Sequence, residues 1–167
     1  VMGMSAATFW DGREGASKYL KMMRERAGVE VSCGSFATEA ALNVYKAKRI
    51  AFFSPYFPVA NRQVRRFYED CGFTVVRDLC LQRPSPVQIA HTTDAMCRDA
   101  IRQLDGDDVD AIVQVGTNLS MVRFAAAAEY FLDKPVIAIN TATYWHALRA
   151  VGIADRLQGF GSLLSQH

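Results

Sequence analysis

Residues 112–121 read IVQVGTNLSM. The opening run, rich in β-branched apolar side chains, suits a strand buried on both faces. It gives way without a spacer to Gly116-Thr117-Asn118 and then to sequence of helical period. The same succession repeats outward in both directions. VMG (1–3) precedes a helix within 13–27 that closes on Gly28, a glycine stop signal. VEVSC (29–33) precedes a helix from about Phe36 to Lys46, with Ser35 as its cap. RIAFFS (49–54) leads through the loop PYFPVAN (55–61) to an amphipathic helix over 62–70. FTVVRDLCL (73–81) is the next strand, followed by the proline-containing loop RPSPVQ (83–88). Thr93 opens a helix through Leu104, and DGDDVD (105–110) leads into AIVQV (111–115). An alanine-rich helix over 120–132 is followed by PVIAI (135–139), the loop NTAT (140–143) and a last helix around Trp145–Val151. Strand, loop and helix in about six rounds define an α/β fold, a parallel sheet with helices on both faces. Ligands of such sheets sit outside the carboxyl ends of the strands.

Composition narrows the function classes. Half of the 167 residues are apolar and 22% are charged, enough for one compact domain or two small lobes sharing a core. The net charge of +2 comes from mixed signs, and the most basic stretch, QVRRFYEDCGF (63–73), carries its own acids. That pattern reads as a solvated helix face, so no nucleic-acid partner is expected. No apolar run is long enough to cross a bilayer, so no membrane partner is expected either. Cys33, Cys71, Cys80 and Cys97 form no CxxC or Cys/His ligand spacing, which reads as reduced thiols of a cytoplasmic protein without a zinc site. The first residues, VMGMS, read as the end of a buried strand, so a further N-terminal portion is expected. A sheet cut there would expose an apolar edge, which makes a homo-oligomer one of the expectations.

The loops at the predicted ligand edge are GMSAAT (3–8), CGSFAT (33–38), SPYFP (54–58), GTNLS (116–120) and NTATYW (140–145). They are rich in Ser, Thr and Asn, nearly free of charge, and place backbone N–H groups at helix starts, where an anion is stabilised. The sequence contains no G-x-G-x-x-G dinucleotide fingerprint, no Walker loop and no acidic cluster for magnesium. GMSAAT fits a flavodoxin-type phosphate loop only loosely, and an FMN module would reveal itself as a yellow protein. A small carboxylate, held without cofactor or metal, is the ligand that remains.

VMGMSAATFWDG (1–12), SPYFPVANRQV (54–64), VQVGTNLSM (113–121) and KPVIAINTATYWHALRAVGI (134–153) resemble the family of arylmalonate decarboxylase and maleate cis-trans isomerase, within the aspartate/glutamate racemase superfamily. The resemblance extends to GFGSLL (159–164) and covers essentially the whole chain, leaving only the family's first strands before Val1. It implies two flavodoxin-like lobes related by a pseudo-twofold axis, with the active site between them. Residues 1–46 would be the remainder of the first lobe, 47–140 the second, and 141–167 a segment returning to the first.

The resemblance further implies cofactor-free chemistry, in which amides and hydroxyls grip a carboxylate and cysteine moves a proton. The family's first cysteine position falls on Gly3, with oxyanion donors on Met4 and Ser5 and a hydroxyl donor on Tyr56. The second falls on Val115, followed by the Gly116 amide, with Thr117 and Asn118 on the same loop. Neither Gly3 nor Val115 carries a thiol, so the anion grip transfers while the acid–base step does not. Cys33, at the end of VEVSC and the start of a helix, is one substitute, since a helix N-terminus lowers a thiol's pKa. Its plainer role is a small buried space-filler. His146, placed at the start of the last helix, is the other. Tyr56 could donate a proton as well as a hydrogen bond. His91 reads as a loop residue beside a helix start, Asp11 as a solvated helix-start carboxylate, and Cys71, Cys80 and Cys97 as structural.

The expected function is a cofactor-independent lyase or isomerase acting on a small carboxylic or dicarboxylic acid. Decarboxylation of a malonate-type acid stands ahead of racemisation, which needs acid and base on opposite faces. The alternatives are a catalytically silent homologue that senses or carries a carboxylate, and an isomerase or racemase with a non-standard acid and base.

Overall fold

In the central strands, neighbouring residues face opposite ways, and that alternation divides the core in two. Ile50 and Phe52 of β1 (Arg49–Ser54) join Ala111 and Val113 of β3 (Ala111–Gln114) and Ile137 of β4 (Val136–Ala138) on one face of the sheet. Ala51, Phe53, Ile112, Val136 and Ala138 form the other. In the computed structural model, which describes residues 1–167, β2 (Thr74–Cys80) completes a four-stranded, wholly parallel sheet in the order β2-β1-β3-β4.

The core on the first face takes Ala16, Leu42, Phe67 and Trp145 from α1 (Gly12–Ala27), α2 (Gly34–Val44), α3 (Pro58–Asp70) and α7 (Ile139–Ala150). The second is covered by α5 (Asp94–Leu104) and α6 (Val122–Leu132). Burial on both faces is why the strands read as continuous apolar runs. A short α4 (Pro86–Ala90), capped by the Ser85 hydroxyl, overlaps the second half of the expected proline loop, and α8 (Ser162–Gln166) ends the chain. No helix is long and apolar enough to cross a membrane, and all four cysteines are free thiols.

The stops and starts follow local chemistry. Gly28 ends α1 with φ +67° and donates to the Arg24 carbonyl. Thr93 opens α5 by accepting from the Met96 amide at 3.3 Å.

Four expectations are corrected. VMG and VEVSC are not strands: they lie side by side, joined by the Met2 amide donating to the Ser32 carbonyl at 2.9 Å, with no ladder to sustain pairing. All four strands therefore come from 49–138, and the six-round count falls to four. NTAT is not a loop. Strand β4 ends at Ala138, and Ile139 begins α7, where the Thr143 hydroxyl returns a bond to the Ile139 carbonyl at 2.7 Å and so satisfies itself within the helix. His146 consequently stands in mid-helix, not at a helix start. Ser35 does not cap α2; Cys33 occupies the cap position, and α3 begins at Pro58 rather than at 62.

Chain order reverses between β1 and β3: β2 pairs to one side of β1, and the chain then crosses to the other. The crevice of a parallel sheet opens at such a reversal. Here it is flanked by the ends of β1 and β3, which carry Tyr56 and Gly116.

Asn61 secures the β1 side. Its carboxamide accepts from the Ser54 hydroxyl at 2.7 Å and donates to Asp78, which is also held by Arg65. Ser54 Oγ in turn accepts from the Tyr56 amide at 3.1 Å. Asn61 is 2% exposed. Asn61→Ala is therefore expected to lower stability by about 1–3 kcal/mol in urea unfolding, the cost of leaving the buried Ser54 hydroxyl proton without an acceptor. A loss under about 0.5 kcal/mol, the range of an ordinary surface substitution, would contradict this role.

Candidate functional site

Ser5 is the hub of the carboxyl edge. Its hydroxyl lies 2.9 Å from the Tyr56 hydroxyl and accepts from the Thr117 amide at 3.1 Å. The Thr117 hydroxyl donates to the Gly3 carbonyl at 2.9 Å, and the Asn140 carboxamide donates to the Thr117 carbonyl at 2.9 Å. Residues far apart in sequence are thus tied together across the ends of β1, β3 and β4.

The local backbone makes this possible. Gly116 takes φ +108°, and a Cβ there would stand 2.5 Å from Pro55 Cδ, so the loops after β1 and β3 press together only because no side chain intervenes. The Gln114 carboxamide donates to the Gly116 carbonyl at 2.8 Å and fixes the turn. Helix α2 begins against the hub, where a Cβ on Gly34 would lie 3.3 Å from Ser5 Cβ.

The proton inventory of the hub is unbalanced. Ser5 and Tyr56 hold two hydroxyl protons, and their mutual bond uses one. No other acceptor in the chain takes the second, whichever residue carries it. The amides of Ser5 and Gly116, both buried residues, also donate to no acceptor within the chain. Burial raises the Tyr56 pKa, partly offset by the Ser5 bond, so the phenol stays protonated at neutral pH. The edge is a surplus of donors without a formal charge. Such an arrangement suits a carboxylate.

The structure brings Gly3, Ser5, Tyr56, Val115, Gly116 and Thr117 to one edge, and it distributes the other expected residues differently. Met4 is 53% exposed beside the hub. Asn118 turns to solvent and donates to the Pro86 carbonyl at 2.6 Å. Val115 is fully buried in the apolar core, whereas a side chain at Gly3 would meet open space. Cys33 is buried next to Gly34 with its sulfur 3.6 Å from the Ser35 hydroxyl. Asp11 is exposed and takes the Gln63 side chain on its amide, and His91 is an exposed residue at the end of α4. Sequence reading missed Asn140, Gln114 and Asn61 as positioning residues. For Gln114 the available signal was a carboxamide at the end of an otherwise apolar strand.

His146 belongs to a separate place. Its Nδ1 lies 2.9 Å from the Ser32 hydroxyl, and it lines a cavity of about 330 Å³ with Arg24, Lys21 and Phe36. Burial, then the charge of Arg24, lowers its pKa from the ordinary 6.5. A depressed histidine is neutral in the folded chain, so folding stability is full above pH 6.5 and is lost as pH falls through that value. His146→Gln should flatten the decline in thermal midpoint between about pH 7.5 and 5.5. An unchanged slope would assign that decline to other groups.

An α/β protein whose parallel sheet reverses order beside an uncharged cluster of hydroxyl and amide donors is, by fold, of the class whose ligand crevice opens at a switch point. The chain matches the family model for arylmalonate decarboxylase over residues 1–164. It belongs to the arylmalonate decarboxylase family. Maleate isomerase of Pseudomonas putida is 29% identical over 126 residues, which are 75% of this chain and 50% of that protein. The chain thus spans about half the length of the curated relative it matches. Among solved structures, maleate cis-trans isomerase of Nocardia farcinica, in a mutant with a covalently bound succinylcysteine intermediate, superposes with a TM-score of 0.92 at 23% identity, covering 98% of this chain and 69% of that one. A double mutant of arylmalonate decarboxylase in the liganded form gives 0.89 at 20% identity, covering 99% and 72%. At these identities the likeness is one of fold.

Proposed function

We propose that the chain binds a small mono- or dicarboxylate at the Ser5–Tyr56–Gly116 edge and acts on it as a cofactor-independent decarboxylase-type lyase. The observation that carries this reading is the spare hydroxyl proton of the Ser5–Tyr56 pair beside the unpaired amides of Ser5 and Gly116. The relatives' names support the ligand class, since maleate and arylmalonates are both small dicarboxylates. In this reading residues 1–46 and 141–167 form one wall of the site and 47–140 the other.

Loss of CO2 from a malonate-type acid breaks one C–C bond and leaves the electron pair as an enediolate. Its oxygens are stabilised by donors aimed at developing charge. A proton must then reach the α-carbon. Cys33, buried next to Gly34, which packs against Ser5, is the candidate donor, while His146, hydrogen-bonded to Ser32 at a separate cavity, does not reach the hub. Racemisation is less well supported because neither Gly3 nor Val115 can carry a proton.

A second reading, carboxylate binding without turnover, is favoured by one observation: Val115 is packed wholly into the core. A panel of malonates and maleate, followed by thermal shift and CO2 release, separates the two. Stabilisation with CO2 release supports the lyase, and stabilisation alone supports the binding protein. No stabilisation by any member contradicts both.

A further inference from the structure

Two cavities adjoin near the starts of α5 and α6, with Val122 and Phe160 in the walls of both. The first, of about 380 Å³, is lined by Asp94 and Arg123 together with Ser120 and Met121. Asp94 and Arg123 are exposed, and neither makes an ion pair, with the other or with any residue of the chain. Arg123 is also badly placed for its own helix. It stands in the first turn of α6, which contains no acid and where the helix dipole disfavours a cation. An anion there would meet the guanidinium and the free amides of that turn together. The second cavity, of about 230 Å³, is apolar: Tyr144, Leu157 and Leu164 line it with the shared Val122 and Phe160. Tyr144 is 51% and Phe160 41% exposed, so apolar surface lies uncovered beside the two unpaired charges.

We propose that the adjoining cavities bind a free α-amino acid with an apolar side chain. Its carboxylate lies against Arg123 and the first amides of α6, its ammonium against Asp94, and its side chain among Tyr144, Leu157 and Leu164. A simple acid would satisfy Arg123 and bring its own charge up to Asp94, and a simple amine would do the reverse. A zwitterion meets both charges and leaves the cavity neutral, which suits one acid and one base that do not pair with each other. The apolar cavity is ample for the side chain, since about 150 Å³ accommodates a benzene ring. None of these residues belongs to the Ser5–Tyr56–Gly116 edge, and the amino acid binds whether or not that edge takes a carboxylate.

The test is isothermal titration of the 167-residue chain with L-phenylalanine and L-leucine. At least one should bind saturably, and L-alanine, which leaves the apolar cavity empty, should bind at least about tenfold more weakly. For the tighter of the two, the analogue without the ammonium and the analogue without the carboxylate should each lose about tenfold, as for one hydrogen bond to a charged group. Arg123→Gln should weaken the amino acid about tenfold and leave the carboxylate-free amine unchanged. Asp94→Asn should weaken the amino acid likewise and leave the ammonium-free acid unchanged. Both side chains are exposed, so circular dichroism should show wild-type folding in each variant. No saturable binding of either amino acid, analogues that bind as tightly as the amino acid, or variants that bind it as the wild type does would each overturn the proposal.

Discussion

Ser5→Ala should weaken binding of malonate by about tenfold to a hundredfold, the effect of losing one hydrogen bond to a charged group, about 1.5–3 kcal/mol. The substitution deletes one of the two hydroxyl protons and leaves the Thr117 amide without its acceptor, so both the donor surplus and its alignment go. Stability should fall by only about 1 kcal/mol, as for an ordinary lost hydrogen bond, so reduced binding would not reflect unfolding. Tyr56→Phe removes the same proton count from the other partner. Isothermal titration with malonate gives the comparison, and wild-type affinity in Ser5→Ala would remove the hub from the site.

Gly116→Ala should be among the most damaging single methyls in the chain. The residue sits at φ +108°, where an alanine is strained, and its Cβ would fall 2.5 and 2.7 Å from the Pro55 ring. Strain and overpacking together should cost about 3 kcal/mol, and a domain of this size then loses roughly 10 °C in thermal midpoint. Separating the loops after β1 and β3 should also abolish carboxylate binding. Gly3→Ala is the control: its Cβ meets nothing within 4 Å, and the midpoint should barely move. Equal effects at the two glycines would refute the close approach of the loops.

The elements that the sequence makes legible are those whose cause is local. Gly28 and Thr93 stop and start helices through their own backbone and hydroxyl, and the apolar runs at 49–54 and 111–114 find neighbours on both sides. VMG and VEVSC also carry valine but have no ladder, and strand propensity reports fitness for a pleated neighbour rather than an intrinsic preference. Ala138 and Ile139 look alike as sequence, and only packing decides that the strand ends between them. The hub was legible in part. Tyr56 and Gly116 stand on loops that the strand order brings together, whereas Ser5 follows a stretch outside the sheet and the support from Asn61 and Asn140 depends on contacts no local pattern encodes.

The most direct measurement is a crystal structure of the chain soaked with malonate. A carboxylate within hydrogen-bond reach of the Tyr56 hydroxyl and the Gly116 amide, with Ser5 between them, is the predicted result. Malonate bound elsewhere, such as the His146 cavity, with the Ser5–Tyr56–Thr117 bonds unchanged, would contradict it.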